Sequence, residues 1–156
     1  MNSSISLLKS LTSDHIAVKM AASSWEEAVV GAGMVMVSTG LIQQSYIEAM
    51  KDAIKSLGPY CVIAPGIAMP HARPEDGVFQ TGFSLITLET PVNFGSEAND
   101  PVDIVIGLAA INKQSHITVL KELATYLGDN NFIQNLRAAR TKKDLLKVLD
   151  SKRKEI

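Results

Sequence analysis

A single cysteine, Cys61, leaves no partner for a disulfide within this 156-residue chain and suits a reducing compartment. Cys61 lies in the apolar run Tyr60–Ala64, where it reads as an inert core thiol, with a nucleophile as the sharper alternative. Long hydrophobic runs are also missing. Ala28 to Val37 is ten residues long and holds two glycines, whereas a membrane span needs roughly 20 apolar residues, so it reads as a core helix. The first residues carry one lysine, Lys9, and no cleavable signal pattern, so a cytoplasmic protein is expected. Neither charge dominates. Fifteen basic and sixteen acidic residues leave a net charge of −1, which excludes bulk attraction to nucleic acid or to an anionic membrane.

The usual chemical signatures are absent as well: there is no His-Glu-x-x-His, no cysteine pair, no Gly-x-Ser-x-Gly and no Gly-x-x-x-x-Gly-Lys. A metal held by two histidines would need Asp76, Asp100 or Asp103 as a third ligand, and no spacing recommends them. No metal and no cofactor is expected.

What is present is ordinary globular composition, 46% hydrophobic and 20% charged, in a length that suits one domain over residues 1–156. Ser3 to Thr12 carries a weak apolar pattern, a short helix or a packed arm. His15–Val18 reads as a short strand with His15 at its edge. Ser24-Trp-Glu-Glu27 is a capping-box sequence opening a helix that buries Trp25, Ala28, Val29, Ala32, Val35 and Met36 and stops near Ser38–Gly40. Gly31 and Gly33 weaken that helix but permit close packing. A second helix runs from about Gln43 to Leu57 on the stripe Tyr46, Ile47, Met50, Ile54 and Leu57, and Gly58-Pro59 ends it. Ile63–Ala64 and Ile67–Met69 are short strand pieces, and Thr81–Leu88 is a strand followed by a bend over Pro91–Gly95. Val102–Ile111 is nearly continuous in apolar residues, as a central strand covered on both faces should be. A helix beginning at Ser115 turns Ile117, Leu120, Leu123, Ala124 and Leu127 inward and stops at Gly128. Asp129 or Asn130 caps a short helix with Phe132, Ile133 and Leu136, and Thr141 opens a last one. Helices before, between and after the strands predict an α/β fold, a mixed central sheet flanked by helices on both faces.

The stretch Ile63–Val78 is the most informative, with three prolines and two glycines around His71. Pro70 and Pro74 stiffen the backbone on both sides of the imidazole, and a reacting side chain needs such a fixed position past a strand end. His71 as a simple turn cap is the blander reading. His116 follows the strand Val102–Ile111 and falls in the first turn of the helix opened by Ser115, where unpaired amides and the helix dipole attract an anion. An exposed helix-start histidine is again the bland alternative. Two histidines at strand ends of a small α/β fold can share one edge and one site.

Gly66-Ile-Ala-Met-Pro-His71 resembles the phosphorylation-site motif of the enzyme IIA components of the sugar phosphotransferase system, mannitol–fructose superfamily. Trp25-Glu-Glu-Ala28, Tyr46-Ile-Glu-Ala-Met50, Pro91-Val-Asn-Phe-Gly95, Asn99-Asp-Pro-Val102, Leu108-Ala-Ala110 and Ser115-His116 extend the resemblance over most of the chain. The longer form Ala64-Pro-Gly-Ile-Ala-Met-Pro-His-Ala-Arg-Pro74 is most similar to the ascorbate-specific branch. The resemblance implies that His71 accepts a phosphoryl group from the phosphocarrier protein HPr and passes it to a cysteine of a IIB partner, serving a membrane IIC permease. It also implies a phosphohistidine intermediate. His116 and amides near Ser115 are the candidate donors to the moving group. The mannitol branch places an arginine in or just after the second helix, where only Lys51 and Lys55 stand here; Arg73 could replace its charge. Met69, Ala72 and Phe79 would form an apolar docking face, with Arg73 meeting an acidic rim. A IIA-like regulator, whose phosphorylation state a partner reads, is the alternative; a two-histidine hydrolase lacks a nucleophile and an orienting carboxylate.

Overall fold

The apolar runs pair into one five-stranded mixed sheet in the computed structural model, which describes residues 7–155. In chain order the strands are β1 (Ile16–Met20), β2 (Val62–Ala64), β3 (Ile67–Ala68), β4 (Gly82–Val92) and β5 (Val102–Ala109). The helices are α1 (Leu7–Ser10), α2 (Trp25–Ser38), α3 (Ser45–Leu57), α4 (Lys113–Leu127), α5 (Asn130–Ala138) and α6 (Lys142–Arg153). The spatial order is β1-β4-β5-β3-β2. Strand β1 is parallel to β4 and β3 parallel to β5, while β4–β5 and β2–β3 are antiparallel. The expected sheet with helices on both faces is what forms.

The middle of the sheet is apolar on both sides because both sides are covered. Ile104, Ile106 and Leu108 of β5 join Phe83 and Leu85 of β4 in a core closed by α1, α4, α5 and α6. Val105 and Ala109 join Ile86 in the opposite core, against Ala28, Ala32 and Met36 of α2 and Tyr46, Ile47 and Met50 of α3. Each such fully buried aliphatic or aromatic side chain contributes roughly 1.5–3 kcal/mol by leaving water. The α2 glycines set the approach of two neighbours: a Cβ at Gly33 would come within 2.5 Å of Ile47 Cγ1, and one at Gly31 within 2.3 Å of Met20 Sδ. Among the described residues, no helix is long and apolar enough to cross a membrane.

Several expectations shift in detail. The Ser3–Thr12 segment contributes α1, and its first residues lie outside the described part. His15 belongs to a 3-10 turn, and β1 begins only at Ile16. Trp25 and Val35 are half-buried, and Leu57 is exposed at the end of α3. Strand β4 continues through Pro91 to Val92, into the expected bend, because Val92 still pairs with Val102. Helix α4 starts at Lys113 on an Asn112 cap, two residues before Ser115, and buries Val119, Leu123 and Tyr126. Ile117, Leu120 and Ala124, expected inward, are exposed. The helix settles on the face where the large Tyr126 ring can be buried while its hydroxyl donates to Glu122 Oε2 at 2.6 Å.

Candidate active site

Parallel pairing of β3 with β5 sends both chains out of the sheet at the same edge. Beyond β3 the chain enters Met69–Pro70–His71; beyond β5 it enters Ala110–Asn112 and then α4. The first exit is pinned by main-chain bonds: Met69 N–H donates to Cys61 O (2.8 Å) and Leu108 N–H to Pro70 O (3.1 Å). Proline at position 70 suits this place, since only its carbonyl is used.

The His71 ring lies half-buried with Nδ1 2.8 Å from Met69 O. A carbonyl can only accept, so Nδ1 holds the proton in the neutral ring and Nε2 keeps its lone pair. Burial pushes the His71 pKa below its ordinary 6.5; the Met69 carbonyl opposes that and the nearby His116 adds to it. The ring is therefore neutral at pH 7. His116 stands beside it, ring centres 5.0 Å apart and planes tilted by 49°. Burial lowers the His116 pKa too. The shared edge foreseen for these two histidines exists.

Tyr60, not singled out in the sequence, completes the cluster. Its ring meets that of His71 edge-on at 5.3 Å, and its hydroxyl donates to His71 O at 2.9 Å. Burial pushes its phenol up to about 12, so it remains a donor. Its sequence signal is its place just after the Gly58-Pro59 stop, which folds it back over the His71 loop.

These rings open onto a cavity of about 860 Å³, walled by α3 (Ala49, Asp52, Ala53), by the Arg73–Asp76 segment and by the start of α4. Arg73 lines it with an exposed side chain whose charge is already answered: Nη2 lies 3.3 Å from Asp76 Oδ1 and Nη1 3.9 Å from Glu75 Oε2. This pairing holds the Asp76 carboxyl below its usual range. Lys113, at the first position of α4, is a second cation on the wall. Lys51, one of the two lysines in the helix where the mannitol branch has an arginine, pairs with Glu48 at 3.0 Å.

Ser115 is placed differently from expectation. Its N–H donates to the Asn112 side chain at 2.8 Å, capping α4, so that amide is not free for an anion. The amides remaining at the helix start belong to Lys113 and Gln114. Met69 is 1% exposed and cannot join a docking face, whereas Phe79 is 60% exposed. Cys61 is buried with its thiol pushed up to about 12, so it is inert. Of the carboxylates weighed as ligands, Asp100 accepts from the Phe94, Gly95 and Ser96 amides, and Asp103 pairs with Arg137 at 3.0 Å. Among the described residues no three His, Cys, Asp or Glu side chains gather closely enough to hold a metal ion.

Fold and cavity together define a mixed-sheet α/β protein with an accessible site of paired neutral histidines. Residues 9–152 match the family described as phosphoenolpyruvate-dependent sugar phosphotransferase system, EIIA 2, and the chain belongs to that family. It is 41% identical over 138 residues to the ascorbate-specific PTS system EIIA component of Salmonella choleraesuis (strain SC-B67), covering 88% of this chain and 90% of that one. It is 40% identical over 136 residues to the component of the same description from Escherichia coli (strain K12), covering 86% and 88%. Among solved structures, the mannitol-specific cryptic enzyme IIA from Escherichia coli superposes with a TM-score of 0.83 at 34% identity, over 94% of this chain and 99% of that one. Mannitol enzyme IIA from Escherichia coli, in complex with phosphorylated mannitol enzyme IIB, superposes with a TM-score of 0.79 at 32% identity, over 90% and 97%. The chain is thus a IIA component of a sugar phosphotransferase system.

Proposed function

We propose that this IIA component carries a phosphoryl group on Nε2 of His71, taken from phospho-HPr and passed to a cysteine of a IIB partner for uptake of L-ascorbate. The carrying observation is the 2.8 Å contact between His71 Nδ1 and Met69 O, which leaves Nε2 as the free nucleophile. In the first step the Nε2 lone pair attacks phosphorus as the P–N bond to the HPr histidine breaks. In the second, a IIB thiolate attacks the same phosphorus and the His71 Nε2–P bond breaks, returning the neutral ring. Both steps need fixed geometry and donors in place for the charge on the moving group, and His116 supplies one beside the ring. The sugar follows from the similarity to ascorbate-specific relatives, and the IIB partner from a superposable IIA bound to its IIB. Such a carrier works on the cytoplasmic side of a IIC permease.

The test is incubation with enzyme I, HPr and phosphoenolpyruvate, then with the ascorbate-type IIB. A phosphoryl adduct stable to alkali and labile to acid should form, His71→Ala should abolish it, and IIB should discharge it. An unchanged yield in His71→Ala would remove His71 from the reading.

A further inference from the structure

The loop that presents His71 is tied to the sheet from both sides through one residue. Leu108 N–H donates to Pro70 O at 3.1 Å, just before the histidine. Just after it, Ala72 N–H donates to the Tyr46 hydroxyl at 2.8 Å, and that hydroxyl lies 2.9 Å from Leu108 O. Tyr46 is fully buried on α3, 26 residues before Ala72 and 62 before Leu108. A hydroxyl accepts and donates at once, so a single oxygen satisfies an amide of the loop and a carbonyl of the central strand. Ala72 O, at 3.2 Å, competes for the same proton from further away.

We propose that Tyr46 is a positioning residue for phosphoryl transfer: its hydroxyl locks the Ala72 amide to Leu108 and thereby fixes the direction of the His71 ring. This rests on the reading that His71 carries the phosphoryl group. Burial pushes the Tyr46 phenol up to about 12, so the bridging proton is retained throughout the working pH range. Phenylalanine at this position keeps the ring in the core but leaves the Ala72 amide and the Leu108 carbonyl without their bridge. The loop then keeps its ties at Met69, Pro70 and the His71 carbonyl but loses the one just after the histidine, and the nucleophile wanders from the line of attack.

The experiment compares wild type, Tyr46→Phe and Ile47→Val, the last loosening the same helix without touching the hydroxyl. Transfer from phospho-HPr in Tyr46→Phe should slow by about 10- to 100-fold, the scale of a misplaced reacting group, with KM for phospho-HPr unchanged. Nitrogen-15 signals of the His71 ring should move from one tautomer in the wild type toward a mixture in Tyr46→Phe. Ile47→Val should keep both the rate and the tautomer. An unaltered rate and tautomer in Tyr46→Phe, or equal slowing in Ile47→Val, overturns the proposal. If wild-type His71 takes no label, the carrier reading falls instead, and the tautomer comparison still judges Tyr46. Should Tyr46→Phe not fold, wild-type hydrogen exchange decides: the Ala72 amide should be strongly protected, and exchange at an open-loop rate refutes the lock.

Discussion

The rings of His71 and His116 stand 5.0 Å apart although 45 residues separate them, each delivered by the end of a different strand of one parallel pair. Only the first has a ring nitrogen anchored to a main-chain carbonyl, so the two are built for different work. His71 is held in one direction, and on the proposed function His116 would meet the group that His71 carries.

Replacing His116 by alanine should leave loading from phospho-HPr intact, because the nucleophile and the α4 helix start remain. Onward transfer to IIB should slow by roughly 10²–10³, the effect of losing one donor to developing charge. Following both half-reactions by rapid quench checks this; wild-type onward transfer would make His116 a bystander.

Burial lowers the pKa of both rings below 6.5, which gives two pH signatures. Loading of His71 should hold its plateau to a lower pH than a free imidazole would allow. Stability runs with the unfolded chain, which takes up protons first as pH falls through about 6.5. The two rings therefore contribute fully above that value, and their contribution is lost as pH drops toward the lowered folded pKa. Urea midpoints taken on both sides of this range should decline less in His116→Gln than in wild type.

Transfer to His71 should not depend on a metal. With enzyme I removed and phospho-HPr supplied, EDTA should leave the isolated step unchanged; a loss of rate on chelation, restored by a divalent ion, would reveal a metal-assisted transfer.

Arg73 rides on the exposed rim with its charge shared between Asp76 and Glu75. Arg73→Glu should slow transfer with both partners while leaving the melting temperature within a few degrees, because a solvent-exposed ion pair contributes little to stability. Arg73→Gln should fall between the two. Equal rates in all three proteins would make Arg73 inert surface.

Elements set by local chemistry were legible in the sequence. Ser24 caps α2 as expected, accepting from Glu27 N–H, although the Glu27 side chain reaches back to Ser23 rather than to the cap itself. The His71 loop could be read because its prolines and glycines act on their own neighbours. The sequence leaves the start of α4 open between Asn112 and Ser115, both suitable caps, and the choice depends on which face finds the core. In the sequence Tyr46 and Tyr60 read as members of apolar runs. Their hydroxyls bond to main-chain groups far along the chain, which leave no mark in a side-chain pattern.

The cavity has one consequence for kinetics. If His71 carries the group, a ring that opens onto this recess, with strands behind it, would be approached by donor and acceptor through the same mouth. On the proposed function the two proteins would then exclude one another, and the cycle would be a ping-pong exchange in which excess unphosphorylated donor inhibits delivery by simply occupying the doorway.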